Sequence, residues 1–283
     1  MLDHAVNRLN WKFKMKITPR KIILDILMAG HGVPITSKEA VAACLLFGIG
    51  EVSTRVALTR LLSEKLTETA GRGIYRLGPN ALEIADDVSK WRHIDQSVRV
   101  WHGDYMTIYG HALGRTDRTA LVRRERALRL LGFRELEKGL YIRPNNIGTN
   151  LASILDRLQH LGLESEALAC ISSQFDLQTE QRIQALWDGT ALNERYKILS
   201  QQLQHWMQQA DQLPLDIAAT ESLLMGSAAI HQVVFDPLLP APMVDVAERE
   251  RFIKVVRQFD TVGKDIWLTL RQANFEVPKS IVV

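Results

Sequence analysis

A chain of 283 residues, 46% hydrophobic and 24% charged, has the make-up of a folded protein with room for two or three modest domains. Its net charge of +3 excludes a surface that is basic throughout, so any nucleic-acid contact must be local. Cys44 and Cys170 lack metal-ligand spacing, which argues against a disulfide framework or a cysteine zinc site, and no apolar run resembles a signal peptide or reaches membrane-spanning length; the expected setting is cytoplasmic, with no membrane partner.

Thr18-Pro19 supplies a hydroxyl cap and then a proline, and Ile22, Ile23, Ile26 and Leu27 recur at helical spacing until Gly30 or Gly32. Ser37 is expected to cap a shorter helix bearing Ala40, Val41, Cys44 and Leu45, stopped at Gly48. A third helix opens at Glu51 after the tight Gly48-Ile49-Gly50 turn. Leu66 to Thr69 and Ile74 to Leu77 flank Ala70-Gly71-Arg72-Gly73 and read as a hairpin. Pro79 to about Asp95 reads as a connecting helix.

The pattern changes at Trp101. A strand is expected over 105–109, a helix over 117–131, two strands around Glu137-Lys138-Gly139, a helix over 150–161 and a strand over 167–175. That order, with Leu131-Gly132-Phe133 echoed by Leu161-Gly162-Leu163, predicts a ferredoxin-like split βαβ arrangement. Beyond Leu177 the chain is helical and glutamine-rich, broken at Phe235 to Pro240. The expected fold is α+β. It comprises a winged helix-turn-helix over residues 1–80, a connecting helix over 81–97, a ferredoxin-like domain over 98–177 and a helical C-terminal domain over 178–283.

Successive residues of a helix lie about 100° apart around its axis. In the third helix this puts Leu58, Leu61 and Leu62 on a buried stripe, with Val52, Ser53, Val56, Thr59, Arg60 and Ser63 opposite and Arg55 on the border. An isolated helix with such a face is often merely solvated. As the third of three helices, followed at once by a hairpin tipped Gly71-Arg72-Gly73, it instead has the plan of a recognition helix and wing. Hydroxyls and arginines would meet base edges in the major groove and a valine would meet a thymine methyl, while Arg72 and Arg76 would meet phosphates. Lys12, Lys14, Lys16, Arg20 and Lys21 make the same segment basic.

These residues carry a resemblance. Thr54 to Leu61, then Ala70 to Leu77, resemble the recognition helix and wing of the PaaX-type repressors of phenylacetate catabolism. Trp101-His102-Gly103-Asp104-Tyr105, Leu131-Gly132-Phe133, Tyr141-Ile142-Arg143-Pro144 and Asp236-Pro237-Leu238-Leu239-Pro240 are similar to further motifs of that family, in the same order. The resemblance implies a cytoplasmic transcriptional regulator, usually a dimeric repressor. It would bind a palindromic double-stranded operator and be released by a metabolite such as an aryl-coenzyme A thioester. Three positions depart from the family pattern. Gly73 replaces the wing's second arginine, Thr59 stands where an aromatic is frequent, and Ala241-Pro242 replaces the tryptophan-glycine after the last motif.

Arg118, Arg123, Arg124, Arg126 and Arg129 crowd one helix. A solvated face partly paired with Glu125 accounts for them; the functional alternative is that Arg123, Arg124 and Arg126 clamp the phosphates of an anionic effector. No histidine pairing or carboxylate cluster suggests a metal, a cofactor or catalysis. The rival reading is a metal-dependent nuclease built on the ferredoxin-like segment, with Arg143 and Asn145-Asn146 near the phosphoryl group. A second rival is an interaction adaptor that no longer binds DNA.

Overall fold

The computed structural model describes residues 17–30, 33–82, 90–110, 113–114, 116–148 and 150–274. The chain is mixed α/β, with two small antiparallel sheets and a helical C-terminal region, and it divides into two compact units. One comprises 1–91, 201–230 and 255–283; the other comprises 92–200 and 231–254.

In the first unit, α1 (Pro19–Ala29) starts as its sequence dictates, with Thr18 Oγ1 accepting from the Lys21 amide at 3.2 Å. The next helix, α2 (Ser37–Leu46), is capped one residue earlier than expected, by Thr36. Thr36 Oγ1 accepts from the Glu39 amide at 3.1 Å and Glu39 Oε2 accepts from the Thr36 amide at 2.6 Å. A capping box needs its acid three residues after the cap, and only Thr36 stands in that relation to Glu39.

Gly48 takes φ +71° and turns the chain into α3 (Glu51–Ser63). Strands β2 (Thr67–Gly71) and β3 (Ile74–Leu77) form the expected hairpin. A two-residue strand that the sequence did not announce, β1 (Ile35–Thr36), pairs with β3 at Tyr75 and Ile74, giving the order β1-β3-β2.

Ile22, Ile23, Leu27, Cys44, Phe47, Leu58 and Leu61 form the core beneath these elements, with Leu223, Leu224 and Trp267 packed against it. The last two helices add polar ties. Ser227 Oγ donates to Asp25 at 2.8 Å, and Arg271 donates to Glu39 at 2.6 Å and to the Pro34 carbonyl at 2.8 Å. Of the connecting helix expected over 81–97, residues 83–89 lie outside the described residues; Lys90–Ser97 forms a 3-10 segment kinked at His93.

In the second unit, β4 (Tyr105–Tyr109), α4 (Arg118–Leu130), β5 (Arg134–Glu137), β6 (Leu140–Pro144), α5 (Leu151–His160) and β7 (Leu168–Ser172) follow in the expected order. The sheet runs β5-β6-β4-β7, antiparallel throughout. Pleat alternation sends Met106 and Ile108 to one face, against Ala127, Leu128, Ile154 and Leu158. Tyr105 and Ile142 go to the other face, against Ile183, Trp187, Leu239 and Val244. The repeated leucine-glycine motif has one physical cause. Gly132 and Gly162 take φ +77° and +110°, and the amides after them return to Leu128 and Leu158 carbonyls at 2.9 Å, closing α4 and α5 identically.

Helices α6 (Leu177–Gln184), α7 (Gly189–Gln209), α8 (Leu215–Val234) and α9 (Val246–Asn274) complete the chain. Among the described residues no helix is long and apolar enough to cross a membrane.

Candidate nucleic-acid interface

The apolar stripe of α3 buries Ala57, Leu58 and Leu61, which fixes which side of the helix remains outside. Thr54 is also fully buried, its Oγ1 donating to the Gly50 carbonyl at 3.2 Å. Burial raises the Cys44 thiol, and a hydrogen bond with Thr54 partly opposes that rise. Opposite, Ser53, Arg55, Val56, Thr59, Arg60 and Ser63 are all exposed, as are Arg72 and Arg76 on the hairpin. Val52 and Val56 are 78% and 46% exposed on this face.

Hydrogen bonding sorts these residues further. Arg55 Nε donates to Glu51 Oε1 at 2.7 Å, one turn back on the same helix. Arg76 Nε donates to Glu68 Oε1 at 2.6 Å across the hairpin, where the two residues are paired in register. Arg20, at the start of α1, is paired with Glu64. Among the described residues neither Arg60 nor Arg72 has a carboxylate partner. Two of the expected arginines are therefore already half-neutralised and two are not.

Two of the three hydroxyls, those of Thr59 and Ser63, are also committed. Thr59 Oγ1 donates to the Arg55 carbonyl at 3.1 Å and Ser63 Oγ to the Arg60 carbonyl at 2.8 Å. Each keeps only lone pairs for a base edge, so they would accept from adenine or cytosine amino groups. Gly73 takes φ +72° at the hairpin turn, and its carbonyl accepts from the Ser37 amide at 2.8 Å, tying the hairpin to α2. Lys12, Lys14 and Lys16 lie outside the described residues.

The arginine-rich helix α4 does not present one cluster. Arg123 and Arg126 are exposed, whereas Arg124 is 2% exposed and turned toward the interior. It holds Glu164 through Nε at 2.9 Å and Nη2 at 2.6 Å, and donates to the Gly114 carbonyl at 2.9 Å. This corrects the expected trio. Arg124 shares a helix side with Ala127, Leu128 and Leu131, and a guanidinium buried there must be satisfied internally. The Glu164 carboxyl is held below its ordinary value, first by the hydrogen bond from Arg124.

The nuclease reading finds no support at Arg143. It is fully buried, donating to the Pro144 carbonyl at 3.0 Å, the Leu131 carbonyl, Asn146 Oδ1 at 2.9 Å and the Pro237 carbonyl at 3.3 Å. Asn146 Nδ2 donates to the Leu238 carbonyl at 2.6 Å, and Arg249 to the Leu239 carbonyl. Asp236 accepts from Tyr196 Oη at 2.6 Å and from the Leu238 amide at 2.8 Å. A side chain at Gly132 would approach Pro237 Cα within 3.0 Å. The motifs at 131–133, 141–144 and 236–240, read separately in the sequence, therefore meet at one buried polar junction. Its atoms are spent on backbone carbonyls, not on a substrate. Sequence reasoning missed this junction because its members are far apart in the chain and no local pattern joins them.

Residues 187–269 match the family model described as the PaaX-like protein C-terminal domain, which supports a likeness to that family. That family points to transcriptional regulation rather than to an enzyme. The solved structure of the uncharacterized protein Rv0674 from Mycobacterium tuberculosis is similar in fold, with a TM-score of 0.61 and 22% sequence identity over 91% of this chain and 99% of that one. No curated protein matches the chain.

Proposed function

We propose that this chain is a sequence-specific DNA-binding transcriptional regulator acting as a homodimer. Residues 1–80 are its winged helix-turn-helix, 81–97 a connector, 98–177 a ferredoxin-like domain and 178–283 a helical C-terminal domain. The observation that carries the reading is the outer face of α3, where Ser53, Arg55, Val56, Thr59, Arg60 and Ser63 lie together in the open beside an exposed, arginine-tipped hairpin. A helix of this diameter fits the major groove, and the hairpin then reaches the flanking backbone. Two heads related by a twofold axis read a palindrome with half-sites about one helical turn, or a multiple of it, apart.

The strand order β5-β6-β4-β7 supports the ferredoxin-like reading of the centre. Repression, release by an aryl-coenzyme A thioester and a place in phenylacetate catabolism are what the resemblance adds. Arg123 and Arg126 would be the exposed cations for such a ligand's phosphates.

The test is selection of binding sites from random double-stranded DNA by the full chain at moderate salt. A recovered palindromic consensus is the expected result. A pool with no sequence preference would overturn the reading.

A further inference from the structure

The last turn of α9 reaches the first turn of α2. Arg271 Nε donates to Glu39 Oε1 at 2.6 Å and its Nη2 donates to the Pro34 carbonyl at 2.8 Å, while Glu39 Oε2 accepts from the Thr36 amide at 2.6 Å. One carboxylate thus closes the cap of α2 with one oxygen and holds the C-terminal helix with the other. Each residue also suits its own helix, an acid at the N-terminal end of α2 and a base at the C-terminal end of α9. One turn earlier on the same side of α9, Trp267 packs against the core that contains Ile35 and Leu77. The segment that Arg271 grips is also the one that holds the hairpin. Ile35 and Thr36 pair with Tyr75 and Ile74 of β3, and the Ser37 amide donates to the Gly73 carbonyl at 2.8 Å, next to Arg72 at the tip. Residues 34–39 are therefore fixed by α9 on one side and carry the hairpin on the other.

We infer that Arg271 is a positioning residue for DNA binding: through Glu39 and Pro34 it sets where the β2–β3 hairpin, and with it Arg72, stands relative to α3. The inference rests on the proposed DNA-binding function and adds to it a residue 232 positions from Glu39 in the chain. Arg271 acts through the hairpin and does not itself touch DNA. Its guanidinium is engaged on two partners, and both members of the Arg271–Glu39 pair are largely withdrawn from water. Strand β1 is two residues long, so its ladder alone is a weak tether for the hairpin. With Arg271 in place, the segment before α2 is held at its carbonyl and at its cap, and the hairpin inherits that order. Without it, the hairpin and Arg72 sample more positions, and a phosphate contact made from the tip pays the ordering entropy on binding.

Two full-length variants test this, Arg271→Ala and Glu39→Gln. Glutamine at the second position still closes a capping box but lacks the charge that holds Arg271. Each is titrated against the selected operator over a salt series by fluorescence anisotropy, and its 72–77 segment is followed without DNA by mass-spectrometric hydrogen exchange. Both variants should lower operator affinity roughly fivefold or more. Both should reduce the slope of log K against log salt by about 1, as Arg72→Ala does, and add little when combined with Arg72→Ala. Deuterium uptake over 72–77 should rise in both. A tie that serves stability alone would lower the unfolding midpoint and leave affinity, slope and native-state exchange at their natural values; that result overturns the inference. So does a loss for Arg271→Ala that is additive with Arg72→Ala and absent from Glu39→Gln, since Arg271 would then hold a phosphate itself. If the natural chain selects no DNA sequence, the proposed function fails and the role of Arg271 with it. If the natural chain binds and Arg72→Ala responds while Arg271→Ala does not, only the role of Arg271 fails.

Discussion

Arg55 Nε lies 2.7 Å from Glu51 Oε1, one turn apart on the open face of α3. An exposed pair at this spacing contributes only about 0.3–0.5 kcal/mol to the helix. Its larger consequence is for binding, since the guanidinium must leave or share the carboxylate to reach a guanine. Arg60 carries no such commitment. Arg60→Ala should therefore weaken binding to the selected operator by about 1–3 kcal/mol, and Arg55→Ala by less. Glu51→Gln should strengthen it by freeing Arg55 and removing a carboxylate from the phosphates' vicinity. Fluorescence anisotropy at fixed salt measures all three, and unchanged affinity for Arg60→Ala would remove α3 as the reading element.

The hairpin of β2 and β3 makes a separable prediction under the proposed function. Arg72 sits at the hairpin tip between Gly71 and Gly73 without a carboxylate partner among the described residues, whereas Arg76 is held by Glu68. A phosphate contact carries no base information but releases counterions. Arg72→Ala should lower affinity similarly for operator and non-operator DNA and reduce the slope of log K against log salt by about 1. Arg76→Ala should change the slope less. A shift in the consensus sequence for Arg72→Ala would mean that the hairpin reads bases instead.

Arg124 and Glu164 give a pH prediction in the second unit. The Glu164 carboxyl is depressed in the folded chain, chiefly by the Arg124 hydrogen bond. The folded state thus binds this proton less readily than the unfolded state. The stabilisation is complete above the ordinary glutamate value and is lost as pH falls through the lower folded-state value. Glu164→Gln should cost about 1.5–3 kcal/mol at neutral pH, and its deficit against the natural chain should shrink in acid. Urea unfolding at a series of pH values measures it, and a deficit constant with pH would mean that packing rather than charge is lost.

Local signals carried most of the fold. Thr18-Pro19, the glycines at 48, 73, 132 and 162, and the period of the apolar residues act within a few positions of themselves, and the elements they foretell are present. The strand Ile35–Thr36 was not legible because two residues show no alternation and their partner, β3, lies beyond two helices. Arg124 was legible but misjudged. Counting arginines grouped it with Arg123 and Arg126, whereas its spacing to Ala127, Leu128 and Leu131 already placed it on the apolar side. For the candidate interface, the stripe geometry identified which side chains are exposed. It did not foretell which arginines hold carboxylates or which hydroxyls have given up their protons, because those depend on rotamers and neighbours.

Tyr196 and Asp236 anchor the junction where the distant motifs meet. Asp236 is buried with two donors on its carboxylate, and the Arg143 and Arg249 charges bear on it. Burial raises its proton affinity, so its own titration favours the folded state as pH falls, opposite in sign to Glu164. Burial also pulls Arg143 down to about 9, which leaves it charged at neutral pH. Removing the carboxylate would leave two buried guanidinium groups facing carbonyl dipoles alone. Asp236→Asn should therefore cost about 3–5 kcal/mol, while Tyr196→Phe, which deletes one hydrogen bond to a charged acceptor, should cost about 1.5–3 kcal/mol. Denaturant midpoints at neutral pH compare them. If Asp236→Asn is as stable as the natural chain, Asp236 is protonated there, and the two arginines are satisfied by the carbonyls of residues 131, 144, 237 and 239 without it.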